Sequence, residues 1–224
     1  MKQQPRLFNF KDKHKDKTGI IIGGGPSIKQ LIDSKFQFSE LNKLYTTIGT
    51  NMSYTIVDTD YLLFMDRYFW HTFYKDIDEL KCTIKLTQLE KEYGGKLKRP
   101  LSSDIVRIQR KGVFYPLIDG KNKCNNTGSA ALSFANYIGL KKIYLFGFDM
   151  CLDKENNKNF HNEYKSKSKS IPLTNANISN HYTNIGKIIG ELTEKHDTKI
   201  YSCSKISRLN KYIPYVNPMT LITQ

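Results

Sequence analysis

Thr18-Gly-Ile-Ile-Ile-Gly-Gly-Gly-Pro-Ser-Ile28 joins a β-branched apolar run to three consecutive glycines and then to a Pro-Ser pair. Branched side chains at Ile20, Ile21 and Ile22 suit a buried strand. The glycines suit a tight turn, and Pro26 suits a first helical turn, where its fixed φ and missing N–H do no harm. The stretch therefore predicts strand, turn, helix. Gly23, Gly24 and Gly25 can take positive φ and let a ligand approach bare backbone, and the unpaired amides of the helical turn after Pro26 and Ser27 suit a phosphate. Residues 23–27 are read as the phosphate-binding turn of a nucleotide-type ligand, with an ordinary structural glycine turn as the alternative. Ile28 stands where the third glycine of G-x-G-x-x-G would fall and no Gly-Lys-Ser/Thr follows, so neither the dinucleotide fingerprint nor a Walker loop is present.

Working outward, short apolar runs alternate with helical patterns along the whole chain, the signature of a parallel sheet covered by helices. Strands are expected at 19–22, 44–48, 61–65, 83–86, 105–108, 142–146 and 199–202, and helices at 27–34, 67–80, 127–138 and 178–196. Ala131, Phe134, Ala135 and Ile138 recur at helical spacing, and their small members let that helix lie close on a sheet. The last helix carries an apolar stripe of Ile178, Tyr182, Ile185, Ile189 and Leu192 that leaves His181 and Asn184 on an adjoining face. Residues 151–176 lack periodicity and are rich in Asn, Lys and Ser, so they read as a lid over the site.

The chain has 224 residues, enough for one large domain with its own core. The expected layout is a flexible basic leader over 1–17 followed by one α/β domain over 18–224. Hydrophobic residues make up 39%, with no run long enough to span a membrane and no apolar segment of a signal peptide near Met1. Four scattered cysteines without C-x-x-C pairing argue against a zinc ribbon or a disulfide framework. A cytoplasmic location is expected. Lys and Arg number 35 against 21 Asp and Glu, a net charge of +14, which points either to a solvated basic surface or to an acidic partner. Basic clusters lie at 11–17, 91–99, 107–111 and 165–169, and none carries a recognisable nucleic-acid module.

Ligands of open α/β sheets bind outside the carboxyl ends of the strands. That rule nominates residues 23–27, Thr50 with Asn51, Asp66 with Arg67, and Asp149. A second polar turn, Asn125-Asn126-Thr127-Gly128-Ser129, precedes the alanine-rich helix and offers caps and amides to a ligand, with a plain N-cap as the alternative. Asp58-Thr-Asp60 and Asp76-Ile-Asp78 are discounted as metal sites: the first precedes a strand and lies at the wrong end of the sheet, and residues i and i+2 of a helix diverge.

Two motifs taken together, Ile20-Ile-Ile-Gly-Gly-Gly-Pro-Ser27 and Asn126-Thr-Gly-Ser-Ala-Ala-Leu-Ser-Phe-Ala-Asn-Tyr-Ile-Gly-Leu-Lys-Lys-Ile-Tyr-Leu-Phe-Gly-Phe-Asp-Met150, resemble a Rossmann-like group. It contains archaeal 6-hydroxymethylpterin diphosphokinase-like proteins, the motility accessory factors that glycosylate flagellin, and the bacterial sialyltransferases of glycosyltransferase family 42. The resemblance runs in patches over residues 19–215. The sialyltransferase first turn reads Asn-Gly-Pro-Ser; here Gly24 replaces the Asn, while Gly25, Pro26 and Ser27 match. The second-strand Asn matches Asn51, the Thr-Ser-Gly turn that binds the CMP-sugar corresponds to Asn126, Thr127 and Gly128, and Gly-Ile-Asp-Phe corresponds to Gly147, Phe148, Asp149 and Met150.

The resemblance implies a single Rossmann-like transferase domain, mostly parallel, with helices on both faces. It implies a glycosyltransferase-like enzyme with a nucleotide-sugar donor, CMP-type favoured, and no cofactor. The family's base is the second His of His-Tyr-Ile-Gly-His, whereas this chain has His181-Tyr182-Thr183-Asn184-Ile185, so only the first His is matched. The base is therefore expected at His181 or at His161 of the lid segment, with Asp149 as a third catalytic candidate. Gly23, Gly24, Gly25, Pro26, Ser27, Asn51, Asp66, Asn126, Thr127, Gly128 and Ser129 are the expected substrate contacts. The alternatives are a pterin-diphosphokinase-like phosphotransferase, with Mg²⁺ on Asp66 or Asp149, and a nucleotide- or nucleic-acid-binding module. The acceptor is open between a glycan and another polyanion.

Overall fold

The computed structural model describes residues 7–81, 83–87, 100–108, 126–162 and 175–223. The basic clusters at 91–99 and 165–169, and most of 107–111, lie outside them. Seven strands form one sheet, in the order β5-β4-β3-β2-β1-β6-β7. They are β1 (Thr18–Ile22), β2 (Thr46–Thr50), β3 (Tyr61–Phe64), β4 (Ile84–Thr87), β5 (Val106–Arg107), β6 (Lys142–Phe146) and β7 (Lys199–Ser202). Each pairing is parallel. The helices are α1 (Ser27–Asp33), α2 (Phe38–Leu44), α3 (Arg67–Glu79), α4 (Thr127–Tyr137) and α5 (Asn175–His196). The fold is thus Rossmann-like α/β, as the sequence implies.

Alternation along the strands sorts the core into two sides, because successive strand residues face opposite ways. Ile21, Ile48, Leu63, Leu86, Ile143 and Leu145 join Ala131, Phe134 and Ala135 of α4 and Ile185, Ile189 and Leu192 of α5 in one cluster. Ile20, Ile22, Tyr144 and Phe146 turn to the other face, against Ile28 of α1 and Phe38 and Leu41 of α2. Leu62 and Phe64 pack there against Phe69, Trp70 and Ile77 of α3. Helix α2, which begins without a side-chain cap, is the element the sequence pattern does not announce.

The chain crosses from edge strand β5 back to the centre, so that β1 is flanked by β2 on one side and β6 on the other. Outward connections diverge at that point, which makes the carboxyl ends of β1 and β6 the walls of the crevice where such sheets take ligands. No helix among the described residues is long and apolar enough to cross a membrane.

The leader, expected to be loose up to Lys17, is docked from Phe10 onward. Phe10 is buried against Tyr61 and Phe134. The amides of Asp12, His14 and Asp16 bond the carbonyls of Tyr137, Ile138 and Gly139 at the end of α4. The His14 ring bridges Tyr61 Oη (2.8 Å) and Thr46 Oγ1 (3.1 Å). A lone Phe in a basic segment carries no periodic signal, yet burying it stabilises the segment on a core face that α4 leaves open.

Candidate active site

The glycine turn after β1 and the turn after β6 press directly on each other. The Gly23 amide donates to Phe146 O (2.7 Å) and that of Gly25 to Gly147 O (2.9 Å). A Cβ on Gly23 would lie 2.7 Å from Gly147 O, and one on Gly25 would run into the Asp149 carboxylate. Gly147 itself has φ +66°. None of Gly23, Gly24 and Gly25 has positive φ among the described residues, so the expectation of left-handed turn residues is corrected. Close approach of two backbones, rather than φ, is what requires glycine at 23 and 25. Gly24 differs: the nearest atom to its virtual Cβ is Asn159 Oδ1 at 3.8 Å. It is the glycine of the turn whose Cβ would not be crowded, meeting Asn159 at ordinary contact distance.

Asp149 is buried, 1% exposed, and its two oxygens accept from the Ser27 amide (2.8 Å) and the Ser27 hydroxyl (2.7 Å). Burial pushes its carboxyl above the usual range, against the pull of the Ser27 bonds and the neighbouring Ser204. A carboxylate at a helix start is favourable in its own right. Asp149 thus fastens α1 to the β6 turn, and Ser27, read from sequence as a phosphate donor, gives its amide and hydroxyl to a protein carboxylate.

Asn51 follows β2 in a left-handed conformation, φ 48°, and its Oδ1 lies 3.5 Å from Thr127 Oγ1 at the start of α4. Asn126 caps α4: its Oδ1 accepts from the Ser129 amide (2.8 Å) in a reciprocal capping box, which satisfies helix-start donors. Its Nδ2 is buried with no hydrogen-bond partner. Gly128 makes room for Phe148, whose ring would stand 2.9 Å from a Cβ there and 3.0 Å from one on Gly23. The Phe148 ring therefore fills the gap between the glycine turn and the start of α4. At the end of β3, Asp66 caps α3 through Tyr68 N (2.7 Å). The neighbouring Arg67 buries one guanidinium nitrogen without a hydrogen-bond partner.

The loop after Asp149 folds across the glycine turn. Met150 is left-handed (φ 54°). Asp153 then accepts from the amides of Glu155 (2.9 Å) and Asn157 (2.7 Å), which closes a tight ring. Beyond it the Phe160 amide donates to Gly24 O (3.1 Å), and the Phe160 ring packs against the apolar clusters around both α1 and α3. His161 sits edge-on to that ring at 4.9 Å. Residues 163–174 of the expected lid lie outside the described residues, and α5 begins at Asn175.

Helix α5 supplies the other histidine. Ile185, at the position that the sialyltransferase pattern gives to the base, is 1% exposed and points into the core beside Gly128. His181, one turn earlier, is half-buried, and burial together with the neighbouring Lys158 lowers its proton affinity below the ordinary imidazole value. Asn184 is buried with Oδ1 unpartnered. Lys158 and Asn159 are residues that sequence reading passed over, because nothing in an Asn/Lys-rich stretch marks which member turns inward. Among the described residues no group of three His, Cys, Asp or Glu could hold a metal ion.

This geometry is that of an open α/β sheet whose strand order reverses between β1 and β6. No family model matches the chain, and no curated protein does so either. Solved structures do match. The chain resembles the sialyltransferase CstII from Campylobacter jejuni, crystallised with CMP and a trisaccharide acceptor, at 17% identity and TM-score 0.57 over 89% of this chain and 86% of that one. It resembles the α-2,3-sialyltransferase Cst-I of the same organism at 16% identity and TM-score 0.56, over 89% and 80% of the two chains. The MAf glycosyltransferase from Magnetospirillum magneticum AMB-1 matches at 12% identity and TM-score 0.50 over 90% of this chain, which spans 36% of that protein. These likenesses establish a shared fold.

Proposed function

We propose that this protein is a glycosyltransferase that moves a sugar from a nucleoside-monophosphate donor of the CMP type to a hydroxyl of a glycan acceptor. The observation that carries this reading is the Asn51–Thr127 pair, which joins the end of β2 to the start of α4 at the carboxyl edge of the sheet, next to Asn126 with its unpaired amide nitrogen. Neighbours in fold were crystallised with CMP and a trisaccharide acceptor, which supports the same class of ligands here.

The chemistry is displacement at the anomeric carbon. His181 takes the proton of the acceptor hydroxyl as its oxygen attacks, and the bond to the donor phosphate breaks with its electron pair leaving on the phosphate. His181 suits the base because burial and then Lys158 favour its unprotonated form. His161, beside Phe160 over the glycine turn, is the second candidate. In this reading the Asn126 side chain and the first amides of α4 are the donors to the leaving phosphate, since fixed donors stabilise developing charge. Asp149 serves this site as the tie between α1 and the β6 turn rather than as a reacting group.

The phosphotransferase alternative asks Asp66 or Asp149 to hold Mg²⁺. Both Asp149 oxygens go to Ser27 and one Asp66 oxygen caps α3, so the donor set does not fit and no metal step is derived.

A thermal-shift panel of CMP, CDP, UDP, GDP, AMP and ATP, each with and without Mg²⁺, tests the reading, because a ligand that binds only the folded state raises the melting temperature. Stabilisation by CMP without Mg²⁺ is expected; a rise with ATP and Mg²⁺ alone points to phosphoryl transfer instead. In a transfer assay with a CMP-sugar, His181→Ala should lose on the order of 10² in turnover and His161→Ala far less. The reverse order moves the base to the loop.

A further inference from the structure

The segment after β7 is tied to the loop that leaves β6 by three bonds. Ser207 Oγ donates to Phe148 O (2.7 Å), the Arg208 amide to Asp149 O (2.9 Å) and Cys151 Sγ to Ile206 O (3.2 Å). The Ser207 hydroxyl also accepts from the Leu209 amide (3.1 Å) and so starts the 3-10 turn Arg208–Lys211. Leu209 and Ile213, four positions apart, are buried and anchor this turn in the core. Their neighbours face outward: Tyr212 is 62% exposed, and Lys205, Ile206 and Lys211 are exposed as well.

Two side chains of this segment meet a third on α5. The Tyr212 ring lies 5.7 Å from the Tyr182 ring at a tilt of 36°, and the Arg208 guanidinium lies 4.4 Å over the Tyr182 ring. A guanidinium held over an aromatic face is fixed in place while its edge keeps the forked N–H donors that match a carboxylate. An exposed tyrosine offers a rigid face at small entropic cost, and aromatic faces attract polarised C–H groups such as those on the apolar side of a sugar ring. A nucleotide pocket is concave and buries most of its ligand. An open ring beside one fixed cation suits instead a single sugar of a longer glycan.

We propose that Tyr182, Arg208 and Tyr212 form the acceptor subsite, Tyr212 taking the apolar face of a sugar ring and Arg208 the carboxylate of that sugar, so that the acceptor is a glycan carrying an acidic sugar. The inference rests on the glycosyltransferase reading above and names the acceptor class that it leaves open. Tyr182 directly follows His181, so the subsite and the candidate base share one turn of α5. Lys205 and Lys211 flank the tyrosine and add attraction for an acid. No bond is made or broken by these residues; they bind the acceptor.

The test is a calorimetric titration of the full chain, with and without CMP, using two matched pairs of probes: cellobiose with cellobiouronate, and lactose with 3′-sialyllactose. In each pair only the second sugar carries a carboxylate. The wild type should bind the carboxylated sugar of a pair about tenfold or more tighter than the neutral one, as a charge-assisted bidentate contact allows. Tyr212→Ala should weaken both sugars about tenfold or more, and Tyr212→Phe should change little, because the ring face is what binds. Arg208→Gln should erase the preference and keep the neutral sugar, while Arg208→Lys, which has the charge without the fork, should retain part of it. Tyr212 is exposed, so Tyr212→Ala should leave the melting temperature and the CMP affinity in place, which a merely structural role of the cluster does not combine with lost sugar binding. Wild-type sugar affinity in Tyr212→Ala, or a carboxylate preference that survives Arg208→Gln, overturns the proposal. So does failure of the wild type to bind any of the four sugars. If CMP does not bind but the sugars bind through Tyr212, the donor reading fails and the subsite stands.

Discussion

At the scale of single residues, the three glycines of the first turn are not equivalent. Gly25→Ala places a methyl against Asp149 and Gly147 and should cost about 1–3 kcal/mol, as overpacking does. Gly24→Ala meets Asn159 at ordinary contact distance, should change stability by about half a kcal/mol or less, and should still lower CMP affinity about tenfold by blocking backbone approach. Urea melts and CMP titrations of the two variants check this; equal stability would detach Gly25 from the Asp149 contact. His14 gives a pH-dependent prediction. Burial first, then Lys13 and Lys17, lowers its proton affinity below that of an ordinary imidazole, about 6.5. Below that pH the unfolded chain takes a proton that the folded chain refuses, so stability present at neutral pH is lost as pH falls through about 6.5 toward the folded value. His181 is shifted the same way and adds to the loss. The melting temperature should therefore drop between about pH 7.5 and 5.5, and His14→Gln should flatten part of that slope; an unchanged slope would show that His14 titrates alike in both states. Such residue-level facts were legible only in part. Glycine at 23–25 was plain from sequence, but which of them meets Asp149 depends on a turn more than a hundred positions away.

At the scale of elements, strands were readable because β-branched and aromatic runs of a doubly covered sheet need no alternation to stand out. Helix α4 was readable because its alanines recur at helical spacing. Helix α2 was missed: Phe38 and Leu41 are its only buried residues, too short a pattern for periodicity to register. The polar turn before α4 was read as either a plain cap or a ligand contact, and the structure gives Asn126 the means for both, with Oδ1 on the Ser129 amide and Nδ2 left over. That division is testable. Asn126→Asp keeps a capping oxygen and should leave the melting temperature nearly unchanged, while a carboxylate facing the phosphate should weaken CMP binding. Asn126→Ala loses the cap and should cost about 1 kcal/mol in addition. Wild-type CMP affinity in the Asp variant would reduce Asn126 to a cap.

At the scale of the whole molecule, the charge of +14 predicts two different salt responses. Each phosphate neutralised along a polyanion releases counterions, so binding that uses six or more such contacts should weaken roughly a thousandfold or more between 50 and 200 mM salt. CMP in the proposed site, met by backbone amides rather than by a row of cations, should show a far shallower dependence, and any steep one should be confined to a polyanionic acceptor. Titrations of CMP and of single-stranded DNA across that range separate the cases: steep DNA binding without CMP stabilisation would favour a nucleic-acid-binding module. The fold class, the strand sequence and the two polar turns were determined by the sequence alone, because burial on both faces of a parallel sheet and the glycine and cap chemistry of its turns leave local, periodic traces. What only the tertiary structure decided was the order β5-β4-β3-β2-β1-β6-β7, the docking of Phe10 and His14, and the capture of Ser27 by Asp149. Each of these joins segments distant in the chain, and long-range packing and electrostatics write no local pattern into the residues that they bring together.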